Sequence, residues 1–536
     1  MLFLDVLGMA VGYGVYGFAL ILVLTASYRL LLHPLRNYPG PLLARLTDVY
    51  AGLAATQKRL HLVVHGLHEK HGTVIRPAPN RLLFNSPSAF KAIYQNDDRI
   101  TKSFTYELLT RNGVYSVFNT LDRKMHAYKR KIVGHAFSQR SIRSFEPALL
   151  SQVDIYLEQL LGSSPQPVNM TEKLGHLAAD IIGQLALGYD LATQTREDNR
   201  FLPRSMTLSF FVGNISHHFP AFYKVHTNWV FDYIFYETRE KFSRLLVKMV
   251  QSRLALDTHA VPDFFSFVAD ELPPGEAAKT RDSVIWKESL VFLAAGGDSV
   301  TTAMAAAFFY LSRDRDCYQR LAAEIRSAFP SGNDICDGPR LAGCRYLRAC
   351  IDEALRMSPP APGNLWRQQV ASDKKPLFVD GHFIPRGTLF GVNLYALAHN
   401  ATIFPDPFAF KPERWLPLDD DTAANPPEAA KRDEEEARRK AAREGFSAFS
   451  IGPRNCVGKP LAYLETSVVL AKSLWYFDFA AAAGDLGVVG EGRDRGRPGE
   501  FCTWDVFNSS HDGPYLVFRP RESVSLKEDL ETRKHG

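Results

Sequence analysis

From Val6 to Tyr28 no side chain carries a charge. The run VLGMAVGYGVYGFALILVLTASY is long enough to cross a bilayer as one helix. Asp5 stands before it, and Arg29, Arg36 and Arg45 follow. That asymmetry leaves the C-terminal bulk in the cytoplasm. A cleaved signal peptide would carry its basic residues ahead of the apolar run, not behind it. Residues 1–32 therefore read as a membrane anchor. HPLRNYPGP follows, with three prolines and a glycine that cannot continue a helix. Residues 33–45 are expected to be a stiff hinge, and residues 46–536 one large cytosolic body.

Most of the body has helical periodicity, so the fold class is mainly α with small β-sheets. Helices are expected from about Ser88, Arg123, Ser141 and Met170. VIRPAPNRLLFNS at 74–86 predicts a short hairpin, and 377–384 and 514–518 look strand-like. Residues 201–236 are rich in aromatics, among them Phe210, Phe211, Phe219, Phe222, Trp229, Phe231 and Phe235. Such a stretch packs a core, lines an apolar substrate entrance or dips into a membrane interface. Residues 284–311 are almost all apolar or small after Glu288, which predicts a buried helix. As a second membrane span it would place Asp298 near the bilayer centre, at about 2.5–3.5 kcal/mol. The segment 419–444 is strongly charged. Glu434–Arg438, Glu435–Arg439 and Glu436–Lys440 stand in the favourable i, i+4 order, so it reads as a solvated surface insertion with a short helix.

Composition narrows the function. Over 536 residues the hydrophobic share is 46%, the charged share 23% and the mean hydropathy −0.15, which excludes a polytopic transporter. The net charge of +5 is small for this length and no basic patch stands out, so no nucleic-acid partner is expected. The six cysteines are scattered without a C-x-x-C, which argues against a disulfide framework or a zinc site. Gly12, Gly14 and Gly17 spell G-x-G-x-x-G, but inside the anchor and with no strand before them. Gly8 and Gly12 form a weak helix-pairing G-x-x-x-G. Sequons start at Asn169, Asn214, Asn400 and Asn508. A cytoplasmic body leaves them unglycosylated, so they are candidate reporters of topology.

Two places carry candidate chemistry. In the apolar helix Gly296 and Gly297 adjoin, each costing about 1 kcal/mol against alanine, and Asp298 and Ser299 follow at once. Close packing of another element explains the glycines alone. A widened helix turn with room for a small ligand, beside an acid–alcohol proton relay, explains all four residues. The second place is FSAFSIGPRNCVGKPLAYLE, 446–465, where Cys456 lies in a Gly/Pro-rich loop leading into an apolar helix. A sulfur near a helix N-terminus is favoured as thiolate by the dipole and free amide protons. Gly452 and Gly458 let backbone approach a flat cofactor. Phe449 can cover the sulfur, and Arg454 can neutralise a carboxylate at the cofactor's edge.

Phe449-x-x-Gly452-x-Arg454-x-Cys456-x-Gly458 resembles the haem-binding signature of the cytochrome P-450 family at every fixed position. Ala295-Gly-Gly-Asp-Ser299 resembles its oxygen-groove motif, Glu353-x-x-Arg356 its E-x-x-R pair, and Phe410-Lys-Pro-Glu-Arg414-Trp415 its P-E-R segment. All four occur in the family's order. The resemblance spans essentially the whole chain and implies the cytochrome P-450 fold behind one transmembrane helix. It implies haem b with Cys456 as the iron ligand, and Asp298 and Ser299 in proton delivery. His126, Arg130, Arg367 and Arg454 are implied at the haem propionates, and a buried ion network of Glu353, Arg356 and Arg414. Ser299 stands where the family usually has threonine, which implies looser proton delivery. His126-x-x-x-Arg130 occupies what looks like the W-x-x-x-R site.

The chain offers no nucleotide or flavin segment. The resemblance therefore implies electrons from NADPH–cytochrome P-450 reductase in the same endoplasmic reticulum membrane. Pocket walls are implied at 104–118, 201–236, 290–294, 360–365 and 507–510, mostly apolar or aromatic. The implied activity is insertion of one atom of O2 into an apolar or aromatic small molecule, in the style of filamentous-fungal benzoate 4-hydroxylase-like and secondary-metabolite enzymes. Coupling, desaturation, rearrangement, a peroxide-using enzyme without reductase and a non-catalytic haem protein are the alternatives.

Overall fold

The computed structural model describes residues 2–96, 98–109, 115–224, 233–269, 284–417, 426–522, 526, 528 and 529. Its axis is the helix Val284–Arg313, whose C-terminal half is buried almost without interruption from Val300 to Leu311. Around it pack Met170–Leu187, Arg345–Met357 and the helix Lys459–Tyr476 that follows Cys456. The second candidate membrane span is thus a core helix.

Gly296 and Gly297 are explained here by packing. A Cβ on Gly296 would lie 2.6 Å from Ile182 Cδ1, and one on Gly297 3.1 Å from Met206 Cε. The helix runs through both as continuous α-helix. The expected widened turn is not formed, because neighbouring helices occupy the space that the missing side chains leave.

Helix starts are set by local capping. Asp122 accepts from Met125 N–H at the head of Arg123–Ala136, Ser138 from Ser141 N–H before Gln139–Ser163, and Asn169 from Thr171 N–H before Met170–Leu187. The 74–86 hairpin forms as Val74–Ala78 with Arg81–Phe84, antiparallel. It belongs to a five-stranded sheet ordered Val74–Ala78, Arg81–Phe84, Leu389–Val392, Arg367–Gln369, Ile100–Lys102. The last two strands pair Lys102 with Arg367 across the ladder. The 377–384 piece is the hairpin Leu377–Val379 with His382–Ile384, and 514–518 lies in Tyr515–Pro520. Thr503–Val506 and Asn508–His511 form a further tight hairpin.

The apolar N-terminus is a helix, Leu2–Ser27, continued by a π-turn Tyr28–Leu32. It is exposed along its length and long and apolar enough to span a membrane. The proline-rich segment after it is not a free hinge. Leu35 is fully buried, and His33 Nε2 meets Asn80 Oδ1 at 2.7 Å. The buried guanidinium of Arg76 donates to the carbonyls of Arg29, Leu35 and Pro79, and Arg76 N–H to Pro39 O at 2.7 Å. A Cβ on Gly40 would lie 2.3 Å from Arg76 O. Proline stiffness and these contacts together hold the segment against the sheet.

Two further expectations change. The charged insertion contains a 20-residue helix, Pro426–Gly445, longer than expected, and two of its three i, i+4 pairs form. Its last turns are docked: Ala442 is buried beside Phe404, and Lys91 pairs with Glu444 at 2.9 Å. Asn214 and Asn508 are buried and Asn214 donates to Asp505, so neither sequon can report topology in the folded chain. Trp229 and Phe231, with the implied wall residues 110–114 and 225–232, lie outside the described residues.

Arg76→Ala is expected to strand several carbonyls at roughly 1–3 kcal/mol per buried group. Limited proteolysis should then cut within 33–45 faster than in the wild type, and equal cutting rates would show that Arg76 does not hold the segment.

Candidate active site

The Cys456 loop is built on two backbone constraints. Cys456 N–H donates to Phe449 O at 2.9 Å and closes the loop on itself. Gly452 has φ +74°, and a Cβ there would stand 2.2 Å from Tyr94 O, so only glycine fits. Gly458 is the N-cap residue of Lys459–Tyr476, with Pro460 in its first turn.

Cys456 is the exposed cysteine; Cys336 is half-buried and the other four are buried. Its residue surface is open, yet protein crowds the sulfur on its remaining sides. That burial pushes the thiol up, while the N–H groups of Gly458 and Lys459 and the charges of Arg130 and Lys459 favour the thiolate. Phe449 does not stand alone beside the sulfur. Its ring packs on Tyr463 at 5.0 Å and joins Phe446 and Trp415 in a row.

Cations gather around this loop. Arg130, on Arg123–Ala136, reaches both Asn455 O and Asn455 Oδ1 at 2.6 Å. Arg454 donates to Thr120 O at 2.6 Å and Leu121 O at 2.9 Å. Lys102 donates to Phe118 O and lies 4.9 Å from the Tyr106 ring centroid. Its cross-strand neighbour Arg367 is buried, donates to Trp366 O at 3.1 Å and covers the Tyr94 ring. His126 is buried on the same helix as Arg130. Lys102 escaped the sequence reading because nothing in Ile-Thr-Lys marks it; only the register with Arg367 does. The pair Lys129–Glu288 escaped it as well. It is buried, 3.0 Å long, and ties the Arg130 helix to the central helix.

On the central helix Ala295 is exposed and Ser299 half-buried, one turn apart on one face, between the buried Leu293 and Val300. Asp298 and Ser299 do not bond to each other. Ser299 Oγ donates to Ala295 O, whereas Asp298 Oδ2 accepts from Thr207 Oγ1 at 3.3 Å. Burial pushes the Asp298 carboxyl up to about 7. Thr207 sits on Phe201–His218, the helix that carries Phe210 and Phe211.

Glu353, Arg356 and Arg414 are brought together. Arg356 grips Glu353 with two bonds of 2.9 Å and donates to Ala398 O and Pro407 O at 2.8 Å. Arg414 Nε, Trp415 Nε1 and Lys411 N–H complete the carboxylate's partners. Burial opposes the charge on Glu353, but Arg356 and Arg414 outweigh it and hold the carboxyl below its ordinary range.

The profile of the Cytochrome P-450 family matches residues 39–486. The chain belongs to the cytochrome P-450 family. The cytochrome P-450 monooxygenase AKT7 of Alternaria alternata is 34% identical, over 92% of this chain and 94% of that protein. The cytochrome P-450 monooxygenase poxM of Penicillium oxalicum is 34% identical, over 94% and 93%. The cytochrome P-450 monooxygenase apf7 of Gibberella fujikuroi is 32% identical, over 93% and 96%. This P-450 is accordingly a haem-thiolate monooxygenase, which uses O2, a redox partner and a small-molecule substrate. The site fits that cofactor: an accessible thiol at a helix N-terminus, a Gly458 whose Cβ would stand 4.0 Å from its sulfur, and cations around the loop for carboxylates.

Replacing Glu353 by alanine leaves Arg356 buried and uncompensated, at about 3–5 kcal/mol, read as a lower thermal midpoint. The sign with pH follows from the depressed folded pKa. The network's contribution is in place above the unfolded value of about 4.3 and is lost as pH falls through the folded value. Wild type and Glu353→Ala should therefore converge in stability toward acid.

Proposed function

We propose that this chain is a membrane-anchored monooxygenase with haem b on Cys456, acting on an apolar or aromatic small molecule in secondary metabolism. The observation that carries the reading is the Cys456 loop, where the exposed thiol meets the N–H groups of Gly458 and Lys459 and the charge of Arg130. Bound haem supplies the activation of dioxygen, with one oxygen atom going to substrate and the other to water. Cys456 holds the iron; Arg130, Arg454, Arg367, His126 and Lys102 hold the propionate edge; Glu353, Arg356 and Arg414 keep the fold beneath it closed.

Asp298 and Ser299 deliver protons from the opposite side. Asp298, with a carboxyl near pH 7, can both accept and release a proton under working conditions. Electrons come from NADPH–cytochrome P-450 reductase. Both proteins sit on the endoplasmic reticulum membrane, this chain by a single pass with its catalytic body in the cytoplasm, a reading supported by the exposed apolar helix Leu2–Ser27. The aromatic rings of Phe118, Phe210, Phe211 and Phe507 support an apolar or aromatic substrate. Reductase-driven oxygen insertion is favoured over a peroxide-using enzyme because the acid and alcohol of a proton relay are both present.

The first test is the absorption spectrum of the reduced, carbon-monoxide-bound protein in membranes. A strongly red-shifted Soret band is expected in wild type and not in Cys456→Ser. Haem retained with the same shifted band in Cys456→Ser would transfer the ligand role elsewhere.

Proton delivery has its own signature. Product formed per NADPH consumed should fall as pH rises through about 7 in wild type. Asp298→Asn should flatten that profile and lower coupled turnover by about 10²-fold, and Ser299→Ala should divert oxygen to peroxide. A pH profile unchanged in Asp298→Asn would remove Asp298 from the relay.

A further inference from the structure

Phe507 is the single residue between the paired strands Thr503–Val506 and Asn508–His511, whose register runs Val506 opposite Asn508. It adopts φ +87°, a conformation that glycine takes freely and an aromatic residue takes only when its surroundings enforce it. The ring meets partners from separate elements. Phe118 approaches edge-on at 5.7 Å, Phe210 stacks at 6.3 Å, and His217 approaches edge-on at 5.7 Å.

The hairpin also hangs on the central helix beside the proton-delivery pair. Thr302 Oγ1 lies 2.9 Å from Asp298 O and 3.3 Å from Ser509 O, and His511 Nε2 lies 3.2 Å from the same hydroxyl. The strand that follows the strained tip therefore rests on the helix that carries Ala295 and Ser299.

Something must hold a phenylalanine at this tip when glycine would sit there unstrained. Phe507 N–H donates to Asp505 Oδ1 at 3.2 Å. Asn214, on the Phe210 helix, donates from Nδ2 to the same oxygen at 3.1 Å and to Asp505 O at 3.2 Å. Both side chains are buried, Asp505 fully. Asp505 N–H is itself anchored on Lys58 O at 2.8 Å.

We propose that Asp505, braced by Asn214, is a positioning residue for substrate selection, locking the Phe507 ring across the aromatic wall so that the site discriminates against bulky ligands. The proposal rests on the reading that this wall faces bound substrate. Because one brace comes from the Phe210 helix and the ring stacks on Phe210, the helix and the hairpin tip are set as a unit. The width of the site then depends on a carboxylate that need touch neither substrate nor cofactor.

The test uses iron-binding azoles as rulers and needs no knowledge of the natural substrate. Dissociation constants of imidazole, 4-phenylimidazole and a biphenyl-substituted imidazole are read by difference spectroscopy on the haem-loaded full chain, alongside thermal unfolding. Wild type should bind the biphenyl probe more weakly than the phenyl one. Asp505→Ala and Asn214→Ala should each narrow that ratio by about tenfold. Asp505→Asn, which keeps the accepting oxygen, should retain the wild-type ratio. Phe507→Ala should narrow the ratio by itself, and adding Asp505→Ala to it should change the ratio no further.

A merely structural carboxylate would lower the unfolding midpoint in Asp505→Ala and leave the ratio at its wild-type value in both Asp505→Ala and Asn214→Ala. That result, with Phe507→Ala still altering the ratio, overturns the positioning role alone. A Phe507→Ala protein with wild-type affinity for every probe overturns the reading of the wall as well.

Discussion

A single buried carboxylate organises the Cys456 side of this protein. Glu353 has no solvent to stabilise it, so its charge persists only because Arg356, Arg414, Trp415 and Lys411 supply donors from separate stretches of chain. Arg356 spends its remaining donors on the carbonyls of Ala398 and Pro407, which fixes the irregular path between them. Trp415 then passes the constraint on. Its ring packs on Phe446 at 5.1 Å, Phe446 faces Phe449, and Phe449 O closes the Cys456 loop. The position of the thiol thus depends, through packed rings, on an ion network that never touches it.

The opposite side is arranged by close approach rather than charge. Gly296 and Gly297 admit Ile182 and Met206, so the central helix is clasped at the level of Asp298. That approach brings Thr207 to the acid and leaves Ser299 bonded to its own helix. Asp298 and Ser299, adjacent in sequence, therefore have different partners.

Much was legible because it is local. The cysteine motif and the E-x-x-R spacing act within a few positions, and their geometry follows from helix and loop stereochemistry. The two long apolar helices, N-terminal and central, were separable by the aspartate in the middle of the second. Lys102, Glu288 with Lys129, Thr207 and the Asp505–Asn214 brace were not legible. Each depends on a partner tens to hundreds of residues away, and none breaks the local pattern of its own element. The prolines of 33–45 announce stiffness in their own stretch, but the contacts with Arg76 that hold the segment down could not be read from it.

The sequence alone determined the family, the apolar N-terminal helix and the order of the elements. Those follow from short-range spacing, hydrophobic length and helix-end chemistry. The tertiary structure decided which cations face the loop, which way Asp298 turns, and how a phenylalanine comes to occupy a turn shaped for glycine. Those outcomes are settled by burial, where an unpartnered charge or a missing Cβ acquires an energy only once the distant chain has closed around it.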